Sequence, residues 1–217
     1  MVTFALVVLP LSLSLQTGSP EALPPIRELV KVHGISEQVL VGEDAQLTPA
    51  ELLSETTLVI RGVVRSRNDR LSNDGRTVLT DYAIEVVDPI HPQNGWLRVQ
   101  DVITVRRPEG AVNVSGRTFV SRENDFPGFG FSEEYFLFLR QGDTGVHYIV
   151  GGRQGAYRVS HGSVPMFTGR PRDPEVPVTE FTRGVRAEIE RQAQPPIQPV
   201  PVPVGGETAR VRVPDGR

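Results

Sequence analysis

The feature that most constrains this chain is the stretch of residues 131–159, whose sequence is FSEEYFLFLRQGDTGVHYIVGGRQGAYRV. Residues 135–139 within it are an unbroken aromatic and aliphatic run, short enough for a strand and rich in residues that favour strands. Side chains alternate across a strand, so Phe136 and Phe138 point to one face and Leu137 to the other. Because both faces are apolar, both have to be covered. The run is therefore predicted to be the central strand of a small β-structure.

The residues after this strand predict its partner. Residues 141–145 contain two glycines and an aspartate and are typical of a hairpin turn. A second strand is predicted over 147–150, broken at Gly151 and Gly152, and resumed over 156–159. The break favours a β-bulge or a corner over a P-loop, because neither a Lys-Ser or Lys-Thr pair nor a helix follows it.

Further strands and two helices flank this hairpin. Thr48 and Glu51 form a capping-box pattern that predicts a short helix to about residue 55. Gly62 predicts the bulge or bend by which a sheet curls into a barrel. The remaining predicted elements are strands over 58–65, 77–87 and 101–107, a polar loop over 66–76, a small hairpin over 112–120 and an amphipathic helix over 178–192.

Composition excludes several kinds of site. The 217 residues include no cysteine, so disulfides, cysteine-ligated metals and thiol catalysis are excluded. The net charge of -3 gives no electrostatic reason to expect binding to nucleic acid or to anionic lipid. The chain is long enough for one domain with tails.

The two ends of the chain differ from its middle. Residues 2–15 are apolar but too short and too interrupted to span a bilayer; they are typical of a secretory signal peptide, predicted over 1–18, with a buried N-terminal strand as the alternative. Residues 19–46 are predicted to be a linker with little regular structure. Residues 193–217 are proline-rich and predicted to be a disordered tail. The domain is thus assigned to 47–192 of an exported protein, periplasmic or extracellular.

A resemblance covers about residues 47–192. The segments TTLVIRGVV, TDYAIEVV, ITVRRPEG, DFPGFGFSEEYFLFL, IVGGRQGAYRV and EFTRGVRAEI resemble a loose set of uncharacterised exported bacterial proteins. Those proteins look like OB-type barrels, distantly similar to the netrin-like modules of metalloprotease inhibitors. The resemblance implies a mainly β fold, a small closed or partly open OB-like barrel of about five or six strands. A short N-terminal helix and a C-terminal amphipathic helix complete it.

The chain departs from that pattern at two points. Ser132 stands where the pattern has a glycine before the acidic residues. The N-terminal cysteine that inhibitor modules set against the metal is missing, so that mechanism does not carry over.

Two loops are candidate partner-binding sites. The segment FPGFGF places Phe126, Phe129 and Phe131 close together, either as a plug for the end of the barrel or as an exposed aromatic patch that binds a partner. In the segment GGRQG, Arg153 and Gln154 stand beside backbone N–H groups that could face an anion. Both loops are therefore predicted as places where a partner binds.

Catalytic chemistry has little support in the sequence. The four histidines (His33, His91, His147 and His161) show no pair at metal-ligand spacing. Glu133 and Glu134 are adjacent, and adjacent residues on a strand point to opposite faces, so they cannot act on one substrate atom together. No catalytic residue, metal site or cofactor is predicted.

These observations favour an exported, non-catalytic β-barrel domain that binds a protein or cell-envelope partner. One alternative is a secreted hydrolase that uses Asp, Glu and His residues, although their spacing in the sequence does not show which of them would form the site. Another, suggested by the resemblance alone, is an extracellular protease inhibitor. Neither a nucleic-acid partner nor a stable membrane span after processing is expected.

Overall fold

The computed structural model describes residues 7–11, 24–42, 46–92, 97–123, 126, 128–142, 144–166 and 174–194. Its strands are β1 (Val7–Leu11), β2 (Glu37–Gly42), β3 (Leu58–Leu71), β4 (Val78–Pro92), β5 (Val102–Arg107), β6 (Gly110–Val114), β7 (Arg117–Glu123), β8 (Glu134–Gln141), β9 (His147–Ile149), β10 (Ala156–Arg158), β11 (Ser163–Pro165) and β12 (Glu175–Pro177). Its helices are α1 (Ile26–His33), α2 (Pro49–Ser54) and α3 (Val178–Ala193), with one 3-10 turn at Gly152–Gly155. The predicted mainly β class is confirmed.

Five strands close into a barrel. β8, β3, β4 and β5 are antiparallel neighbours in that order, and β9 completes the ring by pairing parallel with β5 and antiparallel with β8. This is the predicted OB-like barrel. Shifts of register on either side of Gly62 bend β3, as expected of bulges in a curled sheet. A side chain at Gly62 would lie 2.6 Å from Ile84 Cγ2, so only glycine fits there.

Strand β8 is buried on both faces, as predicted. Leu137 points into the barrel interior, and Phe136 and Phe138 point outward beneath α2 and α3. All three side chains are fully buried. On the outer face, the ring centroids of Phe136 and Phe181 are 4.5 Å apart. The helices thus cover the face of β8 that the barrel does not.

The predicted corner after the hairpin is confirmed. β9 pairs with residues 139–141 of β8, and β10 pairs with residues 135–137 on the same edge. Gly151 and Gly152 take φ angles of 63° and 52°, which let the chain turn between the two segments. The capping box also forms, since Thr48 Oγ1 accepts from Glu51 N and Glu51 Oε2 accepts from Thr48 N.

The prediction of little regular structure is wrong for residues 24–42. Helix α1 and strand β2 form there, and β2 joins β7 and β6 in a second sheet. The cause is burial, because Ile26 and Val30 pack with side chains from three other elements, Val78, Val114 and Phe119. The folded unit therefore begins before residue 47.

The predicted polar loop over 66–76 is also shorter than expected. β3 continues to Leu71 and β4 begins at Val78, so most of the segment extends the hairpin as a two-stranded arm. The arm is stabilised by pairing along its length and by the second sheet packed at its end. Only its tip, around Gly75, is loop.

The ends of the chain lie largely outside the described residues. Val7–Leu11 pairs in parallel with β2, and residues 1–6 and 12–23 are outside the description. Removal of residues 1–18 as a signal peptide stays a prediction, as does the disordered tail over 195–217. In the part of the chain that is described, no helix is long and apolar enough to cross a membrane.

Candidate functional site

Two of the three predicted loop phenylalanines fill one end of the barrel. Phe126 and Phe129 belong to the barrel core, with 8% and 5% of their surface exposed. The Phe129 ring lies edge-on to the Tyr82 ring, with their centroids 5.0 Å apart. The centroids of the Phe129 and Phe126 rings are 5.4 Å apart. Phe131 is 74% exposed. The plug interpretation therefore describes Phe126 and Phe129, and only Phe131 is available to a partner.

A buried arginine lies beneath this plug. The Arg107 side chain is inside the fold, and its guanidinium carbon is 3.4 Å from the centroid of the Phe126 ring. It forms an ion pair with Glu123 and approaches Glu109 Oε2 at 3.6 Å. Its Nη1 has no hydrogen-bond partner among the described residues. One cation thus neutralises two carboxylates under an aromatic cover.

Glu109 is the most buried carboxylate of this cluster. Its Oε1 accepts a hydrogen bond of 2.7 Å from the Tyr82 hydroxyl. Burial raises the pKa of Glu109, and the nearby Arg107 charge opposes that rise. Burial also raises the pKa of Tyr82, helped by the Glu109 charge. Gly128 lies beside both groups, and a Cβ there would be in ordinary van der Waals contact with each, at 3.5 Å. The buried hydrogen bond and ion pairs of this cluster connect β4, β5 and β7.

The sequence contains a signal for this cluster, although the signal is not a motif. Ile103 and Val105 point into the barrel from β5, and Arg107 has the same parity along the strand. An arginine in an inward position of a strand has to find a buried carboxylate, because an uncompensated buried charge is costly.

Arg153 and Gln154 lie on the 3-10 turn between β9 and β10. The Gln154 Oε1 accepts a hydrogen bond of 2.8 Å from Leu47 N and so holds the entry to α2. Arg153 is exposed. Of the two predicted residues, Gln154 thus makes a structural contact and Arg153 is an exposed surface cation.

The adjacent carboxylates diverge as predicted. Glu133 pairs with Arg158 at 2.5 Å, and Glu134 pairs with Arg61 at 2.9 Å. His147 is buried, and its Nδ1 lies 3.3 Å from Thr104 O. Burial lowers the pKa of His147, which favours its neutral form. Among the described residues, no three His, Asp or Glu side chains are grouped to hold a metal.

An open groove lies between α3 and the outer face of the barrel. It encloses about 520 Å³ and is lined mainly by charged and hydroxyl side chains, among them Arg61, Asp88, Thr179, Arg183, Arg186 and Glu190. No sequence motif announces it, because its two walls come from β3 and β4 on one side and from α3 on the other.

Two of the three arginines that line the groove are in ion pairs. Arg61 is held by Glu134, and Arg186 Nη2 lies 3.6 Å from Asp88 Oδ1. Within the described residues Arg183 has no ion-pair partner. The Nε of Arg61 is buried and also has no hydrogen-bond partner there. The charges of Arg61 and Arg186 are thus matched by Glu134 and Asp88, and Arg183 lines the same groove as Glu190.

Comparison with known protein families and curated sequences identifies no relative. No protein-family model matches the chain, and no curated protein sequence matches it. Only the chemistry and geometry of the described residues therefore bear on function.

Proposed function

We propose that this protein is an exported, non-catalytic OB-like barrel domain that binds a protein partner of the cell envelope. The observation that carries the proposal is the exposure of Phe131, which is 74% accessible on a loop whose other two phenylalanines are buried. Large aromatic side chains on a firm support are typical anchors of protein interfaces. The proposed partner surface is centred on Phe131.

The backbone around Phe131 is fixed to the barrel. Ser132 N donates to Val64 O at 2.9 Å, and Val64 N donates to Glu133 O at 3.0 Å. Gly130 N donates to the Tyr135 hydroxyl at 3.3 Å. Binding would therefore order one side chain rather than a whole loop, which keeps the entropy cost of association low.

Other exposed apolar side chains support a surface rather than a single residue. Val102, on β5, is 61% exposed and lies opposite Glu85 of β4. Glu85 in turn pairs with Arg65, the residue that follows Val64 on β3. A strip made of Arg65, Glu85 and Val102 thus crosses three neighbouring strands, and it begins next to Val64, to which the backbone of Ser132 is hydrogen-bonded. Its chemistry suits an amphipathic segment of a partner.

The hydrolase alternative has weaker support. An enzyme of that kind needs titratable groups that converge on an open pocket. Glu109 and His147 are buried in separate places, and Glu133 and Glu134 pair with different arginines. The inhibitor alternative rests on the resemblance alone.

Site-specific crosslinking in intact cells tests the partner surface. A photoreactive phenylalanine analogue at position 131 is expected to crosslink one envelope protein reproducibly. The same analogue at position 32 is the control, because Val32 is 66% exposed but lies on α1. Phe131→Ala should weaken recovery of that protein by about tenfold and Val32→Ala should not. Equal crosslinking from both positions would overturn the proposal.

Export is tested separately by N-terminal sequencing of the protein from the envelope or the medium. We expect a mature chain that begins near residue 19. Material that begins at Met1, or a full-length chain retained in the cytoplasm, would contradict export without bearing on the Phe131 surface.

A further inference from the structure

Strand β1 lies within the predicted signal peptide. Its five residues pair in parallel with residues 38–42 of β2. β2 pairs with β7 on its other side, so β1 is the outer strand of the second sheet. Cleavage near residue 18 would remove β1 and leave one edge of β2 without a hydrogen-bonded neighbour among the described strands. An open edge of this kind accepts another extended chain.

The side chains of β2 favour an alternating strand as its neighbour. Gln38 and Leu40 are buried, whereas Glu37 and Val39 are half-buried. Residues that are paired on neighbouring strands share a face of the sheet. A strand beside β2 therefore needs apolar side chains opposite Gln38 and Leu40, and it tolerates charged ones opposite Val39.

A segment of the C-terminal tail has this pattern. Residues 209–213 read ARVRV, with apolar side chains at the first, third and fifth positions and arginines between them. A period of two is typical of a strand with one buried face. The segment is as long as β1 and has no proline, so each of its residues keeps a backbone N–H group. Earlier in the tail, Pro199, Pro201 and Pro203 remove N–H groups at alternate positions.

The tail is long enough to bring this segment to β2. The described residues end at Gln194, and fourteen residues, 195–208, lie between that point and the segment. In an extended conformation they span about 43 Å, at about 3.1 Å per residue. A compact domain of this size has a radius of gyration of about 15 Å and hence a diameter of about 40 Å. Parallel pairing requires a connection of about a dozen residues or more, which this length supplies.

Attachment to the same chain favours this segment over a separate partner. A tethered segment has an effective concentration of about the millimolar range, which a strand from another protein has to exceed. The edge of β2 is therefore best matched, in pattern, length and concentration, by the chain's own tail.

We propose that residues 209–213 pair in parallel with β2 in the mature chain, in the place that β1 occupies before cleavage. With the register of β1, Val211 lies opposite Leu40, and Arg210 and Arg212 lie on the outer side of the sheet. The inference rests on the proposed export, because cleavage is what vacates the edge. It orders five residues of a tail that is otherwise predicted to be disordered.

Amide hydrogen exchange tests the pairing in two forms of the protein, the full chain and the chain that begins at residue 19. In the shorter form, the β2 amides of Val211→Gln should exchange at least about tenfold faster than those of Arg212→Gln, because only position 211 is on the buried face. In the full chain β1 fills the edge, so the two variants should exchange alike. The amides of β8 report in every sample that the barrel is folded. A difference in the full chain, or none in the shorter form, would overturn the proposal.

An engineered disulfide distinguishes the chain's own tail from other occupants. The chain has no cysteine, so Val39→Cys with Arg210→Cys introduces a single thiol pair at positions that the register places opposite each other. In the form that begins at residue 19, we expect this pair to oxidise within one chain. Val39→Cys with Val202→Cys is the control and should oxidise at least about tenfold more slowly.

Two outcomes of the oxidation would overturn the proposal. A disulfide between two chains would assign the edge of β2 to a second copy, and equal rates for the two pairs would show contact without register. The first residue of the shorter form is set by expression, so a failure here does not bear on export. N-terminal sequencing decides export separately.

Discussion

The guanidinium carbon of Arg107 lies 3.4 Å from the centroid of the Phe126 ring, inside the fold at one end of the barrel. An arginine stacked on an aromatic face away from water gains about 2 kcal/mol. The same guanidinium carries the ion pair with Glu123 and the approach to Glu109. The plug of the barrel and the buried charges beneath it are therefore one unit.

Removing the charge of Arg107 should be among the costliest substitutions in the protein. Arg107→Met leaves Glu109 and Glu123 without their cation, and we expect a loss of about 3 to 5 kcal/mol in the free energy of unfolding. Urea denaturation measures it. Arg65→Met is the control, because its ion pair with Glu85 lies at the surface and should leave the midpoint unchanged. Similar midpoints for the two variants would contradict the account of the cluster.

Glu109 should make stability depend on pH in an unusual direction. Burial raises its pKa in the folded protein above the ordinary 4.5, so the folded state holds this proton more tightly than the unfolded state. Stability from this group is therefore present below pH 4.5 and is lost as pH rises through the raised pKa. We expect the stability of Glu109→Gln relative to wild type to increase between about pH 4 and about pH 7. Urea curves across this range measure it, and a relative stability that falls would contradict it.

Asp81 should make stability depend on pH in the opposite direction to Glu109. Two hydrogen bonds from Arg106, at 2.6 and 2.9 Å, lower the pKa of Asp81. Its contribution to stability is present above the ordinary pKa of 3.8 and is lost as pH falls through the lowered value. The penalty of Asp81→Asn should therefore shrink toward acid.

Both faces of β8 should be intolerant of truncation. Leu137 fills the barrel interior and Phe138 fills the space beneath the helices, and both are fully buried. Leu137→Ala and Phe138→Ala should each cost about 2 to 5 kcal/mol, through lost burial and the cavity that remains. Val102→Ala, at an exposed position of β5, should be nearly silent. A cost below about 1 kcal/mol for either core variant would mean that its face meets water.

Two glycines should respond to alanine in opposite directions. A Cβ on Gly155 would overlap the Val150 carbonyl oxygen and would lie 2.8 Å from Ile149 Cγ2, so Gly155→Ala should destabilise by about 1 to 3 kcal/mol. A Cβ on Gly184 meets nothing within 4 Å among the described residues. Gly184→Ala in α3 should stabilise by about 0.5 to 1 kcal/mol, because glycine is a poor helix former. Thermal melts of the two variants that move in the same direction would contradict this contrast.

Much of the barrel was predictable because its signals are local. The capping box at Thr48, the corner at Gly151 and the opposite directions of Glu133 and Glu134 each depend on residues a few positions apart. The burial of β8 on both faces is also a local signal. Side chains alternate along a strand, so an apolar strand has two apolar faces and both have to be buried.

Residues 24–42 show where local signals stop being sufficient. Helix α1 has only eight residues, and its buried side chains Ile26 and Val30 are held by contact with Val78, Val114 and Phe119, which are distant in the chain. The extension of β3 to Leu71 is similar, because polar residues there are held by pairing with β4 rather than by their own preference for strand.

The amino-acid sequence by itself determined the class of this protein, the central strand, the order of the barrel strands along the chain and the absence of cysteine chemistry. Only the tertiary structure decided which phenylalanine is exposed, which carboxylates share Arg107, and that Arg61 and Arg183 face one groove. The reason is physical. Secondary structure follows from the period of neighbouring side chains, whereas a site depends on which surfaces meet when the barrel closes, and closure brings together residues that no spacing connects.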